Sequence, residues 1–362
     1  MRLGLNLGYL TPGVSPEDQL IWARAAEHLG FDVLWVAEAY GSDAPTILAW
    51  IAGQTTRIGL GSAVMQIPAR SPAATAMTAA TLDTLSGGRF RLGLGVSGPQ
   101  VSEGWHGVRF AHPLGRTREY VDIVRMALGR HEVAYAGRHH QLPLPDGPGK
   151  ALRLALRPAR HDLPVYLAAV GPRNLELAGE IADGWLGVFV AADALAEPLA
   201  AIARGRARGG RAEIPFDVVA SVPVSVGDDP SPAGIAACAD AVRPYTALYV
   251  GGMGSRDRNF YNDLAGRLGY PDAAAVVQDL YLAGRPRDAA AAVPLELIDR
   301  TALLGPVDRI AAGMRAYADA GVTTLAVTLS TMDQAAGVST LESVAQAYQQ
   351  WRSSARGSGS GT

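Results

Sequence analysis

Lysine is nearly missing from this chain of 362 residues: among 32 basic residues, Lys150 is the one lysine and the rest are arginines. Lys150 stands in a Gly/Pro loop (DGPGK) where burial of the amine is not expected, so Schiff-base and lysine-nucleophile chemistry are set aside. Cysteine is reduced to Cys238, which excludes an internal disulfide, an iron–sulfur site and a CxxC redox pair. A small buried side chain on a helix is the expectation there. Aromatic residues make up 7% of the chain against 48% hydrophobic residues in all, which suits a core of small aliphatic side chains. With a net charge of −2 there is no field to gather nucleic acid or an anionic membrane. No apolar run reaches the ~20 residues that span a bilayer, and the N-terminal MRLGLNLGYL enters a strand without a signal-peptide pattern. A cytoplasmic location is expected. His139-His140 has no acidic neighbour at ligand spacing, so no metal is expected.

What is present is a regular alternation of short β-rich runs with longer helical patterns. Strands are predicted at Leu3–Gly8, Val33–Glu38, Ile58–Met65, Phe90–Ser97, Val165–Val170, Trp185–Val190, Asp217–Val226 and Thr324–Leu329. Helical periodicity fills the gaps, for example over Pro16–Leu29 with Ser15 as cap, and over Arg173–Ala182. Two stretches interrupt the rhythm, about 130–163 and 251–302, and read as insertions after strands four and seven. Continuous apolar strands such as VYLAAV require a sheet buried on both faces. Eight such strands are most economically an α/β (β/α)8 TIM barrel over 1–351, with an open doubly wound sheet as the alternative. The Ser/Gly-rich residues 352–362 read as a flexible tail.

Gly93-Leu94-Gly95-Val96-Ser97-Gly98 satisfies GxGxxG after a strand. A dinucleotide fold also needs a helix to begin at once and an acidic residue ending the next strand. Here Pro99 follows, Glu103 and Trp105 are expected in a loop, and Glu119 falls inside a helix, so that reading is rejected. Small residues at a strand end still let a flat ring or a phosphate approach the main chain closely.

The segment Arg70–Ser97 (RSPAATAMTAATLDTLSGGRFRLGLGVS) resembles the string that joins the third and fourth strands of luciferase-like oxidoreductases. Gly95–Gly107, Ala37–Asp43, Leu248–Gly254 and Ala178–Trp185 are similar to an F420-dependent branch of that family, in matching order. The resemblance implies a bacterial-luciferase-like barrel and a seat for the deazaflavin coenzyme F420, with FMN as the alternative. It places a bulge with a non-prolyl cis peptide, buttressing the ring, at Ala63 and Val64. Ser97 and Gly98 match cofactor contacts after strand four, and Gly171, Pro172, Arg173 and Asn174 match a phosphate-binding helix start. Glu38 matches an acidic position near the ring. Relatives pair through helices after strands two and three, so a homodimer is implied.

The departures carry information too. Dehydrogenase relatives have Asp-His after strand two where this chain has Glu38-Ala39, and a glutamate where Pro99-Gln100 stands. The proton-handling pair of an alcohol or sugar oxidase is therefore missing. The resemblance then implies hydride delivery from reduced F420 to an activated C=C, imine or carbonyl of a small-molecule or peptide substrate. Glu38, Tyr40 and His106 are the candidate proton donors. An FMN-dependent monooxygenase and a non-catalytic ligand-binding barrel are the competing functions. In the second insertion Asn259, Phe260 and Tyr261 either touch substrate or order the loop.

Overall fold

The computed structural model describes residues 1–357. Eight parallel strands, each followed by helical segments, appear where the apolar runs place them. They are β1 (Arg2–Asn6), β2 (Val33–Val36), β3 (Gly59–Ser62), β4 (Phe90–Gly95), β5 (Val165–Ala168), β6 (Gly184–Val188), β7 (Asp217–Val226) and β8 (Thr324–Leu329). β2 and β3 are buried at every residue, which explains their lack of polar alternation.

The chain contacts divide it into two compact units. The first comprises 1–34, 187–200 and the chain from 217 onward. In it β1 pairs with β8 (Leu3 opposite Leu325) and β8 with β7 (Ala326 opposite Ser221). A short strand missed in the sequence, Leu303–Gly305, runs beside the end of β7. The second unit comprises 35–186 and 201–216. There β4 is central, pairing with β3 (Leu60 opposite Phe90) and with β5 (Gly93 opposite Tyr166).

Prolines mark the helix starts. Pro16, Pro72, Pro113, Pro172 and Pro232 each occupy the first turn of a helix, where the missing N–H costs nothing and φ is already set. Ser15 and Asp18 form a capping box at the first of these, and Cys238 is buried on the helix Pro232–Ala247.

Both insertions acquire structure. The first contains an antiparallel ribbon, Tyr135–Ala136 with Gln141–Leu142. The second holds helices Phe260–Arg267 and Pro271–Leu282, and two shorter ones, Pro286–Ala291 and Leu295–Thr301, whose length is too small to show periodicity. Their apolar faces share a core around Val277, Leu297 and Ile298. The last helix spans Gln334–Gly357, so residues 352–357 of the expected tail are helical. The remainder of that tail, 358–362, lies outside the described residues.

Candidate active site

In the second unit the chain leaving β2, β3 and β4 is bound into one polar network. Glu38 follows β2, and its carboxylate accepts from the Gln66 and Ala44 main-chain N–H groups at 2.9 and 3.1 Å. Arg70 grips the same carboxylate with both terminal nitrogens, at 2.5 and 3.1 Å, and also reaches Asp43. The Glu38 side chain is 6% exposed. Ion pairs with Glu38 and Asp43 raise the Arg70 pKa against the opposing effect of burial. Gln66 donates to the Ala39 carbonyl and accepts from Ser97 Oγ at 2.8 Å, which ties the loop after β4 to the same point.

The Ala63–Val64 peptide is cis, and the strand resumes at Met65–Gln66 opposite Leu94 and Gly95. Ala63 and Val64 keep accessible surface between fully buried Ser62 and Met65. Val96, Ser97 and Gly98 are likewise half-buried, and Ser97 holds a left-handed backbone (φ 62°).

The glycines of the GxGxxG string have a packing role. A Cβ on Gly93 would lie 1.8 Å from the Ser62 carbonyl oxygen, and one on Gly95 would lie 2.5 Å from Val64 Cγ2. β3 and β4 approach at these points, so Gly93 offers nothing to a phosphate. One expectation is corrected: residues 99–104 form a helix, not a loop, because Pro99 presets its first turn after Gly98. Trp105, just beyond it, is 67% exposed.

The three candidate proton donors sit in different surroundings. Four donors occupy the Glu38 carboxylate, which gives it an anchoring part. Tyr40 is 54% exposed. His106 Nε2 is enclosed with no hydrogen-bond partner among the described residues. Gln66 and Arg70 were not singled out from the sequence as site residues; the only signal was the position of Arg70 in the RSP string.

Gly171 caps the helix Pro172–Ile181 with no side-chain hydrogen bond, so its first turn keeps an unsatisfied donor at Arg173 N–H. Asn174 and Leu175 N–H both return to the Gly171 carbonyl, and the Asn174 amide reaches the Ala168 carbonyl at 3.4 Å. Arg173 is exposed and borders a recess of about 350 Å³ with Arg118, Glu176, Glu180 and Arg208. A second cleft, about 380 Å³, lies beside Arg70 and reaches Tyr120 and His140. Burial pushes the Tyr120 hydroxyl up to about 12, and it bonds Thr75 at 2.5 Å.

The His139-His140 pair is structural. Glu119 accepts the main-chain N–H groups of Arg138, His139 and His140 at 2.8 Å each, folding the ribbon onto the helix Pro113–Leu128. In the other unit, Asn259 orders its loop: its side chain caps the helix Phe260–Arg267.

Residues 3–324 match the luciferase-like monooxygenase family. Over 341 residues the chain is 44% identical to a Mycobacterium tuberculosis protein provisionally named a coenzyme F420-dependent oxidoreductase, covering 92% of this chain and 96% of that one. A 5,10-methylenetetrahydromethanopterin reductase of Archaeoglobus fulgidus is 30% identical over 63% of this chain and 65% of its own. Among solved structures, the coenzyme F420-dependent tetrahydromethanopterin reductase of Methanopyrus kandleri superposes with a TM-score of 0.78 at 25% identity, over 95% of this chain and 97% of that one. An F420-dependent secondary alcohol dehydrogenase, at TM-score 0.77 and 19% identity over 96% and 98% of the two chains, shares the fold. The chain belongs to the luciferase-like monooxygenase family and has its (β/α)8 barrel fold.

Proposed function

We propose that this chain is an oxidoreductase that uses coenzyme F420 to reduce an activated C=C, imine or carbonyl. The observation that carries the reading is 44% identity, along nearly the whole chain, to a protein named for F420-dependent chemistry. The residues present fit the coenzyme. Ala63, Val64, Val96, Ser97 and Gly98, all half-buried and with small side chains, suit a flat ring. The first turn at Gly171, Pro172, Arg173 and Asn174 suits a phosphate, through the free Arg173 N–H and the helix dipole.

When bound, the deazaflavin supplies two-electron hydride transfer. The chain's own residues do the holding. Glu38 and Arg70 lock the loops after β2 and β3, so the Ala63–Val64 main chain is fixed before a ligand arrives. Gln66 holds Ser97, and with it the Val96–Gly98 edge. With Glu38 fully engaged, Tyr40 and His106 remain to deliver a proton. The unpartnered His106 Nε2 makes it the stronger of the two. No helix is long and apolar enough to cross a membrane among the described residues. A small-molecule or peptide substrate, a cytoplasmic setting and a homodimer complete the reading.

Titration of the purified protein with F420 and with FMN, followed by quenching of cofactor fluorescence, tests it. F420 should bind at least about tenfold more tightly than FMN, a difference of ~1.4 kcal/mol. Tighter FMN binding with oxygen-dependent turnover would identify a monooxygenase. Binding of neither would leave a non-catalytic barrel.

A further inference from the structure

The first unit gathers four aromatic rings at one place, in a chain that has few. Phe189 comes directly after β6, at the strand end where barrels build their sites. Its backbone is left-handed (φ 50°), uncommon for a bulky residue and a reason to look for function. Tyr245 stacks on it, with centroids 5.4 Å apart and planes 28° apart. Tyr249 and Tyr261 meet Phe189 edge-on at 5.2 and 6.0 Å, and each other at 4.9 Å.

The backbone that carries these rings is irregular, and side chains hold it. Pro244 sits inside the helix Pro232–Ala247, which continues as a π-helical turn over Leu248–Gly252. Such turns leave carbonyls without their usual helical partners and recur at functional sites. Asn259 donates to the Tyr249 and Val250 carbonyls at 3.1 and 2.8 Å, and Asn262 donates to Val250 at 3.1 Å. Tyr261 lies between these two asparagines in sequence. These bonds fix the backbone at Tyr249 and Tyr261.

The cluster differs from ordinary core. Each tyrosine retains accessible surface, yet burial raises all three phenols, Tyr261 to about 12. Rings that are desolvated but still reachable can receive a ligand. Tyr245 and Tyr249 tilt together with ring centroids 4.7 Å apart, and each neutral phenol carries one proton to donate.

We propose that Phe189, Tyr245, Tyr249 and Tyr261 form a binding recess for a planar ring conjugated to a carbonyl, with the Tyr245 hydroxyl donating to the carbonyl oxygen. Ring faces and edges select flatness, and one neutral donor selects one acceptor oxygen. As the class of hydride acceptor this rests on the function proposed above; as a binding site it does not.

Calorimetric titration of the whole chain with trans-cinnamamide, and with its saturated, non-planar counterpart hydrocinnamamide, tests the recess. Cinnamamide should bind one to one, and hydrocinnamamide about fivefold or more weakly. Tyr245→Phe, which keeps the ring, should weaken cinnamamide about five- to tenfold, a typical single hydrogen bond. Phe189→Leu should weaken it by about tenfold, with thermal unfolding recorded to confirm that each variant folds. Absence of one-to-one binding, or equal affinity in wild type, Tyr245→Phe and Phe189→Leu, would overturn the proposal. F420 titrated in parallel separates the two readings: cinnamamide binding without F420 binding sinks the cofactor assignment and leaves the recess standing. F420 binding without cinnamamide binding does the reverse.

Discussion

The rim of the second unit and the aromatic recess of the first solve different problems with different chemistry. At the rim, a charged pair and an amide hold the loops after β2, β3 and β4 in place. In the recess, rings supply the surface, asparagines satisfy the backbone behind them, and every phenol stays neutral. A surface that must keep one shape is built on charge, whereas a surface that must hold an apolar molecule keeps its charges away.

The sharpest way to break this contrast is Glu38→Gln. It leaves the Arg70 guanidinium, 18% exposed, with Asp43 as its remaining carboxylate. Removing one partner of a buried ion pair costs about 3 kcal/mol, whereas replacing both partners with apolar residues is often neutral. Glu38→Gln should therefore lower the urea midpoint strongly and abolish F420 binding. Glu38→Leu with Arg70→Met should recover only part of the stability, because the Gln66 and Ala44 N–H groups lose their acceptor, and none of the binding. If the single variant is as stable as wild type, charge does not hold the rim.

Gly93→Ala comes next. Its Cβ would collide with main chain at the Ser62 carbonyl, so β3 and β4 must part, at about 1–3 kcal/mol by the usual scale of overpacking. Gly171→Ala is the control, since a Cβ there meets nothing within 4 Å. Equal losses in the two variants, read by thermal unfolding, would show that close strand approach does not set the rim.

Much of this was legible before any coordinates. The eight strands were readable because a sheet buried on both faces leaves long apolar runs, as in VYLAAV and VLWV. Helix starts were readable from Ser-Pro pairs. The rim was readable only through resemblance: nothing local in SAVMQ marks a bulge, and Glu38 alone does not announce Arg70. Of the recess, Tyr261 was considered and the rest was not. Phe189 comes from a segment remote in sequence from Tyr245 and Tyr249, and a π-helical turn shifts the side-chain register that helical periodicity assumes.

Asn259→Ala sharpens the other side of the comparison. It removes a helix cap and leaves the Tyr249 and Val250 carbonyls short of partners, a loss of about 1–2 kcal/mol. The effect should appear as faster amide exchange over 248–262 and as weaker cinnamamide binding. The Glu38–Arg70 rim should keep its F420 affinity. Loss of F420 binding in this variant would mean that the two regions do not behave independently.

The smallest expected effect is the response to acid, and it too should divide the molecule. The phenols of the recess do not titrate between pH 7 and 4, since burial moves them further above the ordinary value near 10. The ribbon folded onto Pro113–Leu128 does titrate. Burial lowers the His140 pKa below 6.5 despite Glu119 at 3.5 Å, with Arg116 and His139 pushing the same way. The unfolded chain then binds the proton more readily, so stability is complete above about pH 6.5 and declines as pH falls below it. Glu119 is raised by burial but lowered further by its three main-chain N–H partners, with a net fall below 4.5. Its contribution is complete above that value and is lost as pH drops through it. Urea midpoints measured from pH 7 to 4 should therefore fall in two stages. His140→Gln should flatten the upper stage, and Glu119→Gln the lower one at the cost of a less stable ribbon throughout. An upper stage unchanged in His140→Gln would place the acid-sensitive group elsewhere and remove the distinction between the two units at this pH.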